Sequence, residues 1–152
     1  VPGALTLHTA AFAEVDPHTL YALLQLRVDV FVVEQRCPYP ELDGRDTEPA
    51  TRHLWLAAAG GTPVAYLRVL REPDGAARIG RVAVARDHRG NGHARRLLEA
   101  ALAVVGGREC LLHAQAHLSG LYARHGFTVT GPEFLEDGIP HVPMHRRPPP
   151  AG

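Results

Sequence analysis

The chain contains no lysine; every one of its 16 basic residues is arginine. A Walker A phosphate loop requires a lysine, so that route to nucleotide binding is closed. Cysteine is nearly missing as well, with only Cys37 and Cys110. Two such residues build no disulfide framework, and a reducing cytoplasm is the expected compartment. No apolar run reaches the length of a membrane span, and the first residues lack the basic-then-apolar order of a secretory signal. Charge of either sign is not in excess: 16 acidic residues balance the arginines, for a formal net charge of zero. Neither nucleic acid nor an anionic membrane is therefore expected as a partner. Internal repeats and composition breaks are absent too, and 152 residues suit a single domain with a normal core. Arg146 to Gly152, with three successive prolines, reads as a frayed tail.

What is present centres on one stretch, Arg81 to Ala94. Its first part is an apolar strand with alternating valines; its second is a turn with Arg89, Gly90 and Gly92. A helix follows directly, with Ala94, Leu97, Leu98, Ala101, Leu102 and Val105 on one face. A strand, a glycine turn and a helix N-terminus make an anion site, because the first helical N–H groups have no partner and the dipole favours negative charge. A Rossmann fingerprint needs Gly or Ala where Arg95 stands. Arg89-x-x-Gly92-x-Ala94 instead resembles the acetyl-CoA pyrophosphate loop of the GNAT superfamily of N-acetyltransferases. An ordinary β-turn-α connection would use similar residues.

The rest of the chain orders itself around that stretch. Ala4 to Phe12 reads as a strand, and Asp16-Pro17 as the cap and first turn of a helix, or a pair of helices, ending near Gln35. A long loop, Arg36 to Ala50, carries four prolines and glycines and an acidic cluster of Glu41, Asp43, Asp46 and Glu48. Strands follow at 53–59, 63–70 and 78–85, then the helix, which Gly106-Gly107 stops. Cys110 to Gln115 is a parallel strand if that helix is its crossover. A short helix spans about 117–125, and Phe127 to Met144 divides at the hairpin signal Asp137-Gly138. The result is an α/β fold: a mixed, twisted sheet of about six or seven strands with about four helices. This order is similar to the GNAT fold, whose sheet is splayed at the acetyl-CoA site.

That resemblance implies roles. The strand before the loop would bond the pantetheine arm through the backbone of Val82, Ala83 and Val84. The amides of Arg89, Gly90, Asn91, Gly92, His93, Ala94 and Arg95 would hold the pyrophosphate, with Gln115 a further cofactor contact. Leu121-Tyr122-Ala-Arg-His-Gly126-Phe127 is similar to the family's Leu-Tyr-x-x-x-Gly-Phe, whose tyrosine protonates the departing thiolate. Tyr122 also shares a helical face with Leu118 and Leu121, as a core residue would. Val30 to Gln35, Cys37 to Asp46 and Glu136 to His141 resemble the ElaA-like branch of the family.

The expected activity is acetyl transfer from acetyl-CoA to a small-molecule or peptide amine, by a monomer or homodimer. Attack needs a neutral amine, and Glu34, Asp137 and His141 are the candidates to take its proton or line its path. Asp43 in the acidic loop and the Glu136-Asp137 turn would suit a cationic acceptor. No metal is expected: Cys110, His113, His117 and His141 lack the paired spacing of a His/Cys site. A non-catalytic acyl-CoA-binding module on the same fold is the alternative.

Overall fold

A computed structural model describes residues 4–148. Its sheet has eight strands, in the order β1-β2-β3-β4-β5-β8-β6, with β7 paired to β8. They are β1 (Thr6–Ala10), β2 (Arg52–Ala57), β3 (Pro63–Arg71), β4 (Ala77–Val84), β5 (Cys110–Gln115), β6 (Thr128–Val129), β7 (Phe134–Glu136) and β8 (Ile139–Arg146). The helices are α1 (Pro17–Val28), α2 (His93–Val105) and α3 (Ser119–Ala123). β4 and β5 run parallel across the α2 crossover, and every other pairing is antiparallel.

Two sequence expectations need correction, on strand count and on the tail, and one is refined. The strand count exceeds six or seven because β6 and β7 are two and three residues long, too short to show a period. The first helix does not run to Gln35 as a regular α-helix: Asp29–Glu34 forms a π-helical turn. The tail begins later than Arg146, which ends β8 opposite Cys110; residues 149–152 lie outside the described ones.

Local chemistry explains the boundaries. Asp16 caps α1, its carboxylate accepting from Thr19 N–H at 3.0 Å, with Pro17 in the first position. Asp137 and Gly138 both take positive φ, 50° and 79°, which matches the twist of the two strands they join.

The sheet separates two cores. On one face Leu97, Leu98, Ala101 and Val105 of α2 pack over Leu54, Leu56, Leu67, Ile79 and Leu112. On the other, Leu23 and Leu26 of α1 pack over Trp55, Tyr66 and Ala83. The alternation breaks where Leu56 and Ala57 of β2 meet β3, and again inside β4. Arg68 pairs with Gly80 but Tyr66 with Ala83, so Leu67 faces two residues, Arg81 and Val82. Arg81 sits at φ 54° in this bulge. One extra residue reverses every side chain beyond it. Ala77 and Ile79 point to the α2 face before the bulge; Val82 and Val84 reach that face after it.

Candidate active site

β4 and β5 pair only at Ala77–Cys110 and Arg78–Leu111, then part. The gap opens into a cleft of about 1280 Å³ that both sheet faces share. Strand alternation shows what β4 offers it. Ala85 N–H bonds Val64 O at 2.8 Å, so that edge faces β3; Val82 and Val84, one residue out of step, turn their peptide groups to the gap. Arg89 Nε accordingly reaches Val84 O at 3.1 Å. Ala83 is turned away from the cleft. The same alternation gives its amide to β3, and its side chain is buried under α1.

The loop after β4 supplies donors. Gly90 and Gly92 adopt φ 80° and 76°, and the N–H groups of Gly90 to Arg95 meet no acceptor among the described residues. Arg96 N–H is the first to close the helix, onto Gly92 O at 3.0 Å. Arg89, Gly90, Asn91, Gly92, His93, Ala94 and Arg95 all line the cleft, as does Gln115 where β5 ends. These unpaired amides at the positive end of α2 form a ready anion cradle.

Tyr122 lines the cleft from the α2 face. Its ring packs edge-on to Phe127 at 6.0 Å, and burial pushes its phenol up to about 12. Cys110, nearby in the same core, is likewise pushed up by burial to about 11 and is an inert thiol at neutral pH.

The α1 face carries the other groups. Glu34 lines the cleft, but Arg89 grips its carboxylate with two bonds, at 2.5 and 2.8 Å. Those bonds hold Glu34 below the usual carboxylate range, which makes it a weak proton acceptor, contrary to expectation. Asp137 and His141 line the same wall. Two residues that sequence reading did not select as catalytic join them there. His113 Nδ1 lies 3.0 Å from Glu136 Oε1, and His141 Nε2 lies 3.5 Å from Glu136 Oε2. They are 23 positions apart in sequence, and the β7–β8 hairpin brings them together.

The acidic loop is not a free negative surface. Glu41 and Asp46 are 4% and 7% exposed. Arg27 bonds both, at 2.7 and 2.9 Å; Arg68 bonds Asp43 and Asp46; Arg81 bonds Glu41 at 3.0 Å and Asp43 at 3.4 Å. Asp43 is thus spent on arginines and lies outside the cleft lining, against the expectation that it meets substrate. The Arg68 hydrogen bond holds Asp43 well below the ordinary carboxylate range; burial opposes the same shift at Asp46, but Arg27 and Arg68 outweigh it. Three arginines face three carboxylates, so the cluster is neutral. No group of His, Cys, Asp and Glu among the described residues has the arrangement of a metal site. No described helix is long and apolar enough to cross a membrane.

With this geometry in hand, the comparisons with known proteins agree. Residues 27–148 match the family model for the acetyltransferase (GNAT) domain. A UPF0039 protein of Mycobacterium tuberculosis is 56% identical over 136 residues, 88% of this chain and 87% of that one. Protein ElaA of Escherichia coli is 40% identical over 140 residues, 88% of this chain and 91% of that one. Its crystal structure gives a TM-score of 0.89, covering 95% of this chain and 100% of that one. An acyl-CoA N-acyltransferase from Pseudomonas aeruginosa gives the same TM-score at 42% identity, covering 94% and 99%.

Proposed function

Because the chain belongs to the GNAT acetyltransferase family, we propose that it carries the acetyl group of acetyl-CoA directly to a primary amine. One observation carries the reading: β4 and β5 part after two paired positions, and the gap opens beside six loop amides that lack an acceptor. That donor set fits a pyrophosphate, and nothing lies within 4 Å of the place a side chain would fill at Gly90 or Gly92, so the backbone is open to close approach.

Acetyl-CoA, when bound, supplies an acyl thioester with an electrophilic carbonyl carbon. The chain's residues do the rest. The peptide groups of Val82 and Val84 hold the pantetheine arm and stabilise the charge that grows on the carbonyl oxygen. Arg89 to Arg95 hold the pyrophosphate, and Gln115 closes that end of the gap. Tyr122 gives its proton to the departing sulfur. The amine arrives from the α1 face, along the wall of Asp137 and His141.

Titration calorimetry of wild type and Gly92→Trp tests the cofactor half. The bulky residue enters a left-handed position and covers the amides, each worth roughly 1.5–3 kcal/mol against a charged group. Acetyl-CoA affinity should drop at least tenfold; equal affinity in a folded variant overturns the loop assignment. A free-thiol assay across a panel of amines tests the transfer half. Tight acetyl-CoA binding with no thiol release for any amine would make the protein a non-catalytic acyl-CoA-binding module.

A further inference from the structure

Transfer to an amine leaves a proton to be removed, and the cleft holds few free acceptors. Glu34 is clamped by Arg89, and Glu41, Asp43 and Asp46 are consumed by Arg27, Arg68 and Arg81. The Asp137 side chain makes no hydrogen bond among the described residues that would orient it. The cluster of His113, Glu136 and His141 is different, because no guanidinium neutralises it there.

Hydrogen-bond logic assigns its protons. A carbonyl oxygen only accepts, so His141 Nδ1, 2.7 Å from Ile139 O, carries a proton. A carboxylate only accepts, so His113 Nδ1, 3.0 Å from Glu136 Oε1, carries one too. In a neutral His113 ring the lone pair is then on Nε2. That atom has no partner among the described residues, and its side chain is 41% exposed and lines the cleft. His141 stands behind Glu136. Its side chain is 9% exposed, its ring stacks on Phe134 at 6.0 Å, and its Nε2 lies 3.5 Å from the other oxygen of Glu136, which it braces in the form that carries a proton on both ring nitrogens.

Position agrees with chemistry. His113 stands on β5 beyond Leu111, where the strand has left β4. Cys110, Leu112 and Ala114 point to the α2 core, so His113 points to the α1 face, opposite Tyr122. An acid and a base thus flank the gap from its two sides.

We propose that His113, oriented by Glu136, is the general base that takes the proton of the attacking amine. The inference rests on the acyl-transfer reading above. The nitrogen lone pair forms the C–N bond as the N–H bond yields its proton to His113 Nε2. The C–S bond breaks, its electron pair leaves on sulfur, and the Tyr122 phenol protonates it. Solvent then takes the proton from His113 and returns one to Tyr122, so no oxidant or further reactant is needed. Glu136 acts through His113 and is a positioning residue.

The test measures thiol release from acetyl-CoA with the best amine of the panel, alongside melting temperature and acetyl-CoA affinity. His113→Gln should lower kcat by about 10²-fold or more while both controls hold. His113→Ala should fall equally and regain turnover when imidazole is added to the buffer. Glu136→Gln should lower kcat less and shift the acidic limb of the pH profile, where a general base must be free of its proton; Glu136 is bonded to His113, His141 lies beside Glu136, and Arg78 of β4 lines the same cleft. Turnover of His113→Gln within twofold of wild type overturns the inference alone, as does a loss that imidazole fails to rescue. No thiol release by wild type with any amine overturns the acyl-transfer reading, and this one with it.

Discussion

Burial pushes the phenol of Tyr122 up to about 12, so it keeps its proton throughout the neutral range. In water a thiol near 8.5 would be the stronger acid, and transfer from such a phenol would run uphill. A thiolate leaving inside the same apolar wall suffers the same desolvation, which raises its own proton affinity and narrows the gap. The Tyr122 hydroxyl makes no hydrogen bond among the described residues, while the ring packs on Phe127. Phenylalanine therefore keeps the packing and loses only the proton. Tyr122→Phe should lower kcat by about 10²–10⁴, or just under that range, with acetyl-CoA affinity and melting temperature unchanged. A lower melting temperature with intact turnover would make Tyr122 structural. At this scale fixed local spacing was enough to point to Gly92, Ala94 and Tyr122, which the structure places in the cleft lining. His113 was not legible as a partner of Glu136, because only the register of β5, β8 and β7 joins them. Asp43 was misread for a related reason: sequence shows carboxylates in a loop but not the arginines on α1, β3 and β4 that meet them.

The bulge in β4 is the element on which the cleft depends, since it turns Val82 and Val84 to the α2 face. Arg81 holds an unfavourable φ of 54° there, and its side chain is tied to Glu41 and Asp43 and lies 5.5 Å over the Tyr39 ring. Nothing in Arg81-Val82-Ala83-Val84 announces this; the run reads as an unbroken strand. The π-helical turn after α1 was equally silent, because Val30 to Val33 is apolar throughout. Asp137-Gly138, by contrast, was readable, since both positions demand positive φ. The neutral cluster that ties Arg81 also joins α1 to β3 through Arg27, which is 1% exposed. Arg27→Met leaves Glu41 and Asp46 with a lost partner in a place water does not reach. It should destabilise the fold by roughly 3–5 kcal/mol in urea titrations. Arg45→Met serves as the contrast. Its ion pairs with Glu48 and Glu72 are part-exposed, and it should cost about 1 kcal/mol or less. Equal losses in the two variants would show that the buried cluster is not what anchors the bulge.

At the scale of the whole molecule the sheet is a partition with one opening. The order of elements and the parallel crossover were legible, because α2 has a strong apolar stripe and glycines at both ends. The partition's consequence was not, since it depends on which face each residue of β4 and β5 meets. Tyr122, Val82 and Val84 belong to the α2 core, whereas His113, Glu136 and His141 belong to the α1 side. On the acyl-transfer reading proposed above, amine and thioester approach the gap from opposite faces and occupy it together. A ping-pong route would need a nucleophile on the protein to hold the acyl group between the two. Cys110 is unsuited, as a buried thiol pushed up to about 11. Cys37 lines the cleft but directs its thiol to Asp137 O at 3.1 Å. Initial-rate plots with both substrates varied should therefore give intersecting lines. Mass spectrometry of the protein held with acetyl-CoA alone should show the unmodified mass, and Cys37→Ser should keep wild-type turnover. Parallel lines, with a mass gain of one acetyl group that Cys37→Ser abolishes, would replace direct transfer by a covalent relay through the rim of the cleft.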